Sequence, residues 1–306
     1  MSLIEQAAKR LEELRRAGVD SPKNMRDEAR SAITVPVNKA WDGHTGLANS
    51  AGLSDVSSPP MKPVIDRPSA LALDYLKLAQ YGFVTPDAPR SRVAEEFRVL
   101  KRPLIANATR RVKPIKNGNL IMVTSAVPGE GKTFTAVNLA MSIAMELDQT
   151  VLLVDADVAR PSLPRLLGLD SSRGLLDLIQ HKTHDHAQVL VKTSIEKLTI
   201  LPSGSQHSQS TELLASDAMR RLLDEMSVRY ADRIVIFDSP PLLYTTEAQA
   251  LAAHMGQIVF VVHAESTLQI EVKRALATIE SCANKMFVLN QARTVAQGAY
   301  GYGYAY

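Results

Sequence analysis

The chain has 306 residues, 45% of them hydrophobic, enough for one sizeable core with smaller attachments. Its 35 basic and 32 acidic side chains leave a net charge of +3, too balanced for a nucleic-acid surface, although the small positive excess leaves an anionic membrane face open. The single cysteine, Cys282, excludes an internal disulfide and a Cys-rich metal site; it fits a reducing compartment and reads as a small core residue.

The opening, MSLIEQAAKRLEELRRAG, lacks the apolar stretch of a secretion signal, and no run approaches the roughly 18 apolar residues that cross a bilayer. A cytoplasmic location is expected, with recruitment to the inner membrane face depending on a partner. Within residues 1–18, Leu3, Ile4, Ala7, Ala8, Leu11 and Leu14 recur at helical spacing opposite a charged face, Ser2 and Glu5 have capping-box spacing, and Gly18 suits a helix end. The apolar stripe of this short amphipathic helix has two readings, packing on its own domain or docking on a partner or membrane. Residues 19–68 are rich in Ser, Pro, Asn and Gly and read as a disordered linker, with Trp41 as its lone aromatic. Helices are expected at 69–80 and 92–107. From Asn119 onward the short apolar runs NLIMVT, TVLLVDA, KLTILPS, RIVIFDS, QIVFVVHA and KMFVLNQ alternate with helical patterns. Buried strands joined by helical crossovers give an α/β, three-layer fold with a mainly parallel sheet.

SAVPGEGKTFTAVNLA follows the first of these strands and opens a helix, the setting of a phosphate-binding loop. Pro128, Gly129, Glu130, Gly131, Lys132, Thr133 and Phe134 form the expected nucleotide-binding segment. Gly129 and Gly131 let backbone N–H groups approach phosphate, Lys132 bridges the β- and γ-phosphates of ATP, and the Thr133 hydroxyl ligates Mg²⁺. The usual pattern opens with glycine, where Ala126 stands here. Two further strands end in VLLVDAD and IVIFDSPP, placing Asp155, Asp157 and Asp238 at strand C-termini, where open α/β sheets bind ligands. Asp155 and Asp238 join Thr133 as expected metal contacts. The HKTHDH stretch, His181 to His186, reads as a solvated surface, and Arg110, Arg111, Lys113 and Lys116 as a solvated connection.

SAVPGEGKT, LLVDADVARPSL and IFDSPP in this order, with the ending AYGYGYAY, resemble the bacterial tyrosine kinases of exopolysaccharide loci, and more narrowly the exosortase-associated tyrosine autokinases. The resemblance covers about residues 90 to 306 and implies a P-loop kinase domain at 109–295 behind a helical segment at 69–108. It implies that Lys132, Asp155, Asp157 and Asp238 are catalytic, that Asn290 contacts the nucleotide base, and that Tyr300, Tyr302, Tyr304 and Tyr306 in the tail, residues 296–306, accept phosphate. Where the family carries arginine two residues after its second Asp, this chain has Ala159 followed by Arg160. The family's self-association motif, Glu then Arg then Arg at three-residue spacing, is matched by Glu95, Arg98 and Lys101, and lysine lacks the arginine fork. The implied partners are a second copy of the chain whose tail enters the neighbouring active site, a membrane chain-length-determinant protein (the polysaccharide co-polymerase) and a tyrosine phosphatase; no nucleic acid is expected.

Half of the eight tyrosines stand on the last seven positions. About 11 extended residues span up to roughly 35 Å, enough to reach a neighbouring subunit. Transfer onto them is a matter of positioning and charge neutralisation, with Asp157 or Asp155 orienting the incoming phenol. Two rivals remain at this point. A positioning ATPase would carry a signature lysine at the position of Val127, and a nucleotide-sensing scaffold would bind without transfer.

Overall fold

The computed structural model describes residues 70–169, 173–180, 186–205 and 209–293, all within the unit Arg67–Tyr306. The expected N-terminal helix, the linker with Trp41, His181 to Asp185 and the tyrosine tail lie outside the described residues.

Seven strands form one sheet: β1 Leu120–Ser125, β2 Thr150–Asp155, β3 Val191–Lys192, β4 Leu198–Leu201, β5 Arg233–Asp238, β6 Gln257–His263 and β7 Lys285–Asn290, in the order β3-β4-β2-β5-β1-β6-β7. Every pairing is parallel except the short β3 against β4. Six strands coincide with the six apolar runs of the sequence. The seventh, β3, has only two residues and no hydrophobic periodicity to announce it.

Strand alternation sends Leu120 and Met122 of β1 to one face and Ile121 and Val123 to the other, so the central strand is buried on both sides. One face is covered by α5 Leu175–Ile179, α6 Ser210–Leu214, α7 Asp217–Arg229, α8 Thr246–Ala252 and α9 Gln269–Ala277, whose inward residues include Leu176, Leu214, Leu223, Leu251 and Ala275. The other carries α1 Tyr75–Gln80, α2 Arg92–Ala108, α3 Lys132–Ala144 and α4 Leu163–Leu167. This is the three-layer α/β arrangement expected from the sequence. Cys282 is a buried residue of the first core. Among the described residues no helix is long and apolar enough to cross a membrane.

The helix expected at 69–80 begins only at Tyr75, capped by Asp74, whose carboxylate accepts from Lys77 N at 3.0 Å. The residues before it are extended because Leu71 pairs with the segment following β3: Leu71 N donates to Lys192 O and Ser194 N donates to Leu71 O. The second expected helix is present as α2, with Ser91 as its cap, accepting from Ala94 N at 3.2 Å.

Glu95, Arg98 and Lys101 do not share one face of α2. At 100° per residue, Lys101 lies about 120° around the helix from Glu95. Glu95 and Arg98 pair with each other on the surface at 2.6 Å. Lys101 is 4% exposed, and its Nζ donates to Ser142 O at 2.5 Å and pairs with Glu146 at 2.8 Å, just beyond the end of α3. Its ammonium therefore serves as a cation at the C-terminal end of the phosphate-loop helix, tying α2 to α3. His186 also departs from expectation. It is buried, with Nδ1 3.1 Å from the Tyr230 hydroxyl.

Candidate active site

The loop between β1 and α3 is shaped by two left-handed glycines, Gly129 at φ 85° and Gly131 at φ 93°. A side chain at either would be strained. At Gly131 a Cβ would also collide with the Asn290 amide, whereas nothing lies within 4 Å of one at Gly129. Gly131 is the N-terminal cap of α3, so the first amides of a 13-residue helix open toward the loop. Lys132, the first residue of α3, is buried with its ammonium close enough to Asp157 and Asp238 to favour their ionised forms.

Two residues of the predicted binding segment turn their side chains elsewhere. The Phe134 ring packs between Phe83, at 5.1 Å, and Phe97 of α2, at 6.4 Å. The Glu130 carboxylate is buried: Oε2 accepts from Val127 N at 2.7 Å, and Oε1 accepts from Thr267 Oγ1 at 2.5 Å and from His263 N at 3.3 Å. Asn290, at the end of β7, donates from Nδ2 to Glu130 O at 2.9 Å. These groups shape the loop from behind; from Glu130 and Phe134 only the backbone is left for a phosphate.

The acidic strand ends converge because the sheet puts them there. Asp155 and Asp238 are register partners on neighbouring strands β2 and β5, and Asp238 is also level with Val123 of β1, two residues before that strand ends. The Thr133 hydroxyl donates to Asp238 Oδ2 at 2.6 Å and lies 2.9 Å from Ser162 Oγ. Asp155 Oδ1, Asp155 Oδ2 and Asp238 Oδ1 are buried with no hydrogen-bond partner. Burial, then the neighbouring charges of Asp238 and Asp157, push Asp155 up to about 8; the N–H groups of Asp157 and Leu163, near the carboxylate but outside hydrogen-bond geometry, pull the other way. Burial likewise pushes Asp238 up to about 7, opposed by the Thr133 hydrogen bond and the Lys132 charge. Asp157 is half-buried and raised by burial, with Lys132 and Arg160 opposing. Its Oδ1 accepts from Arg160 N at 3.2 Å. Arg160 thus acts on Asp157, although Ala159 holds the position where the resemblance calls for arginine.

Buried carboxylate oxygens without donors are the chemistry a hard divalent cation satisfies. Among the described residues no group of three or more His, Cys, Asp or Glu converges tightly enough to hold a metal by itself. A cation here would share its shell with Thr133, water and phosphate oxygens, as Mg²⁺ at nucleotide sites does. Ser162, Thr267 and His263 belong to the site's framework. Thr267 and His263 carried no motif signal, whereas Ser162 stands within LLVDADVARPSL and could have been suspected from its place beyond β2.

A phosphate loop on β1, opening α3 beside two acidic strand ends, defines a nucleotide-binding protein of the P-loop class. A family described as "AAA domain" matches residues 118–291. The chain is 31% identical over 227 residues to the tyrosine-protein kinase YwqD of Bacillus subtilis, covering 73% of this chain and 91% of that protein. It is 34% identical over 195 residues to the succinoglycan biosynthesis transport protein ExoP of Rhizobium meliloti, a match covering 62% of this chain but only 23% of the longer relative. The kinase domain of the Escherichia coli tyrosine kinase ETK aligns with a TM-score of 0.60 at 28% identity, over 73% of this chain and 86% of that one. The chain belongs to the bacterial tyrosine-protein kinase family.

Proposed function

We propose that the protein is an ATP-dependent tyrosine autokinase that phosphorylates Tyr300, Tyr302, Tyr304 and Tyr306 of a neighbouring copy and thereby regulates exopolysaccharide synthesis or export. The observation that supports it most is the set of unpartnered buried oxygens on Asp155 and Asp238, beside the Thr133 hydroxyl and the Lys132 ammonium. Thr133, Asp155 and Asp238 are the groups suited to hold Mg²⁺, which when bound would neutralise charge on the transferring phosphoryl group. Lys132 adds positive charge at the β- and γ-phosphates, and the amides at the start of α3 fix their position.

Asp157 orients the incoming phenol. An ordinary carboxylate titrates far below a phenol, near 10, so it serves as a hydrogen-bond acceptor rather than a full base before the transition state. Asn290, already bonded to Glu130 O, stands at the C-terminal edge of the sheet, where a nucleotide base would lie. Glu95 and Arg98 offer an exposed charged pair on α2 for self-association. A membrane chain-length-determinant protein as activator, a tyrosine phosphatase as antagonist and a cytoplasmic setting at the inner membrane face complete the reading. The name of the Rhizobium relative, a succinoglycan transport protein, supports the polysaccharide connection.

The test uses two complementary chains. Lys132→Ala serves as acceptor, and a chain ending at Ala299 serves as catalyst. With Mg·ATP, and with the activator present, phosphate should appear on the tail of Lys132→Ala only when both chains are mixed. Absence of transfer in the mixture, with the full-length wild type active alone, would refute transfer between copies.

A further inference from the structure

A carboxylate inside a phosphate-binding loop is an electrostatic anomaly, because it sits among groups meant to attract anions. Glu130 resolves it by turning its side chain away. At 1% exposure the carboxylate accepts from Val127 N within the loop, from His263 N at the end of β6 and from Thr267 Oγ1 in the connection between β6 and α9. The backbone of the same residue accepts from the Asn290 amide at the end of β7. Val127 is held from its other side as well, since Ser125 Oγ donates to Val127 O at 2.8 Å. One residue therefore fastens the tip of the phosphate loop to the ends of two strands that are remote in sequence. The connection it grips carries Glu265 at φ 61°, a left-handed non-glycine conformation that fixes the path of the chain into α9.

We propose that Glu130 is a positioning residue for nucleotide binding: its carboxylate, held by Thr267, keeps the loop amides in the arrangement that receives phosphate. The proposal rests on the nucleotide-binding reading above. No atom of the Glu130 side chain needs to touch the nucleotide; it acts through Val127 N and the turn that follows. Glutamine cannot replace it. Its amide nitrogen is a donor and would face a backbone donor, either Val127 N or His263 N; the Thr267 hydroxyl can turn to accept from it, but the part-buried backbone N–H loses its acceptor. The consequence should appear in the binding of the phosphates and not in the chemical step, because the acidic cluster on β2 and β5 lies on the other side of β1 from β6.

The experiment measures Mg·ADP affinity by calorimetry and the KM and kcat for ATP, on the full chain, for wild type, Glu130→Gln, Thr267→Val and Thr267→Ser. Glu130→Gln should weaken Mg·ADP binding and raise the KM by about tenfold or more, with kcat within about twofold of wild type. Thr267→Val, which keeps the shape but loses the hydroxyl, should weaken binding about three- to tenfold, and Thr267→Ser should restore it. If Glu130→Gln does not fold, the threonine pair decides the matter alone. Wild-type affinity in a folded Glu130→Gln, a loss confined to kcat, or Thr267→Ser as weak as Thr267→Val would overturn the assignment. Failure of the wild type itself to bind Mg·ADP would overturn the nucleotide-binding reading together with the inference.

Discussion

Replacing Asp155 by asparagine separates two roles of one carboxylate. In the folded chain Asp155 is wholly buried, level with Asp238 on the next strand, and neither of its oxygens has a hydrogen-bond partner. Its folded pKa of about 8 lies above the ordinary 3.8, so the native state holds the proton more tightly than the unfolded chain does. The ionised group therefore opposes folding: the opposition is absent below about pH 4, grows through neutral pH and is complete above about pH 8. The gap sets a ceiling of about 6 kcal/mol, and structural relaxation with water penetration lowers this to about 1–3 kcal/mol. Asparagine carries no charge at any pH. In urea denaturation without metal or nucleotide, Asp155→Asn should exceed wild type by about 1–3 kcal/mol at pH 8 and match it near pH 4. The order should reverse in function. Saturating Mg·ADP at a hundred times its Kd stabilises the wild type by about 2.7 kcal/mol, and the variant should gain less than about half of that. A variant no more stable than wild type at pH 8 would refute the argument that this carboxylate is held at a cost to stability for the sake of a cation.

Three further outcomes follow from other parts of the molecule. Lys101→Met should destabilise the fold by about 1–3 kcal/mol, because it strips Ser142 O and the half-buried Glu146 of their cation, while leaving the sedimentation coefficient unchanged; altered assembly at full stability would show the reverse. Gly131→Ala should lower the thermal midpoint more than Gly129→Ala, by the equivalent of about 1 kcal/mol or more, since both suffer left-handed strain but only the first displaces Asn290. Equal losses would remove Asn290 from the account. Four phosphotyrosines would add about −6 to −8 to a chain of net charge +3, so full phosphorylation should loosen the oligomer, and unchanged sedimentation of the phosphorylated form would count against that.

The strand pattern was legible because buried parallel strands are short, apolar and β-branched, and the phosphate loop because its glycines take a left-handed backbone that other residues adopt only under strain. The pairing of Asp155 with Asp238 could be guessed only as far as strand ends. Their equal register comes from the sheet order, which places β5 between β2 and β1. The side-chain directions inside the binding segment were not legible. Phe134 and Glu130 sit in a motif that suggests ligand contact, yet helical geometry turns Phe134 toward Phe83 and Phe97, and the donors at Val127, His263 and Thr267 capture Glu130. Lys101 matches the self-association motif by spacing alone, and spacing does not reveal that Ser142 O and Glu146 take up its ammonium within the chain. The histidine cluster showed the limit of composition: His186 is buried because a tyrosine hydroxyl 44 positions away receives it.

The measurement that bears most directly on the central claim is the location of phosphate after incubating the purified full chain with Mg·ATP, beside Lys132→Ala and a chain ending at Ala299. Mass spectrometry should find phosphate on Tyr300, Tyr302, Tyr304 and Tyr306 of the wild type and none on Lys132→Ala alone. ATP hydrolysis with no phosphotyrosine on the tail, even with the activating partner present, would contradict the autokinase account.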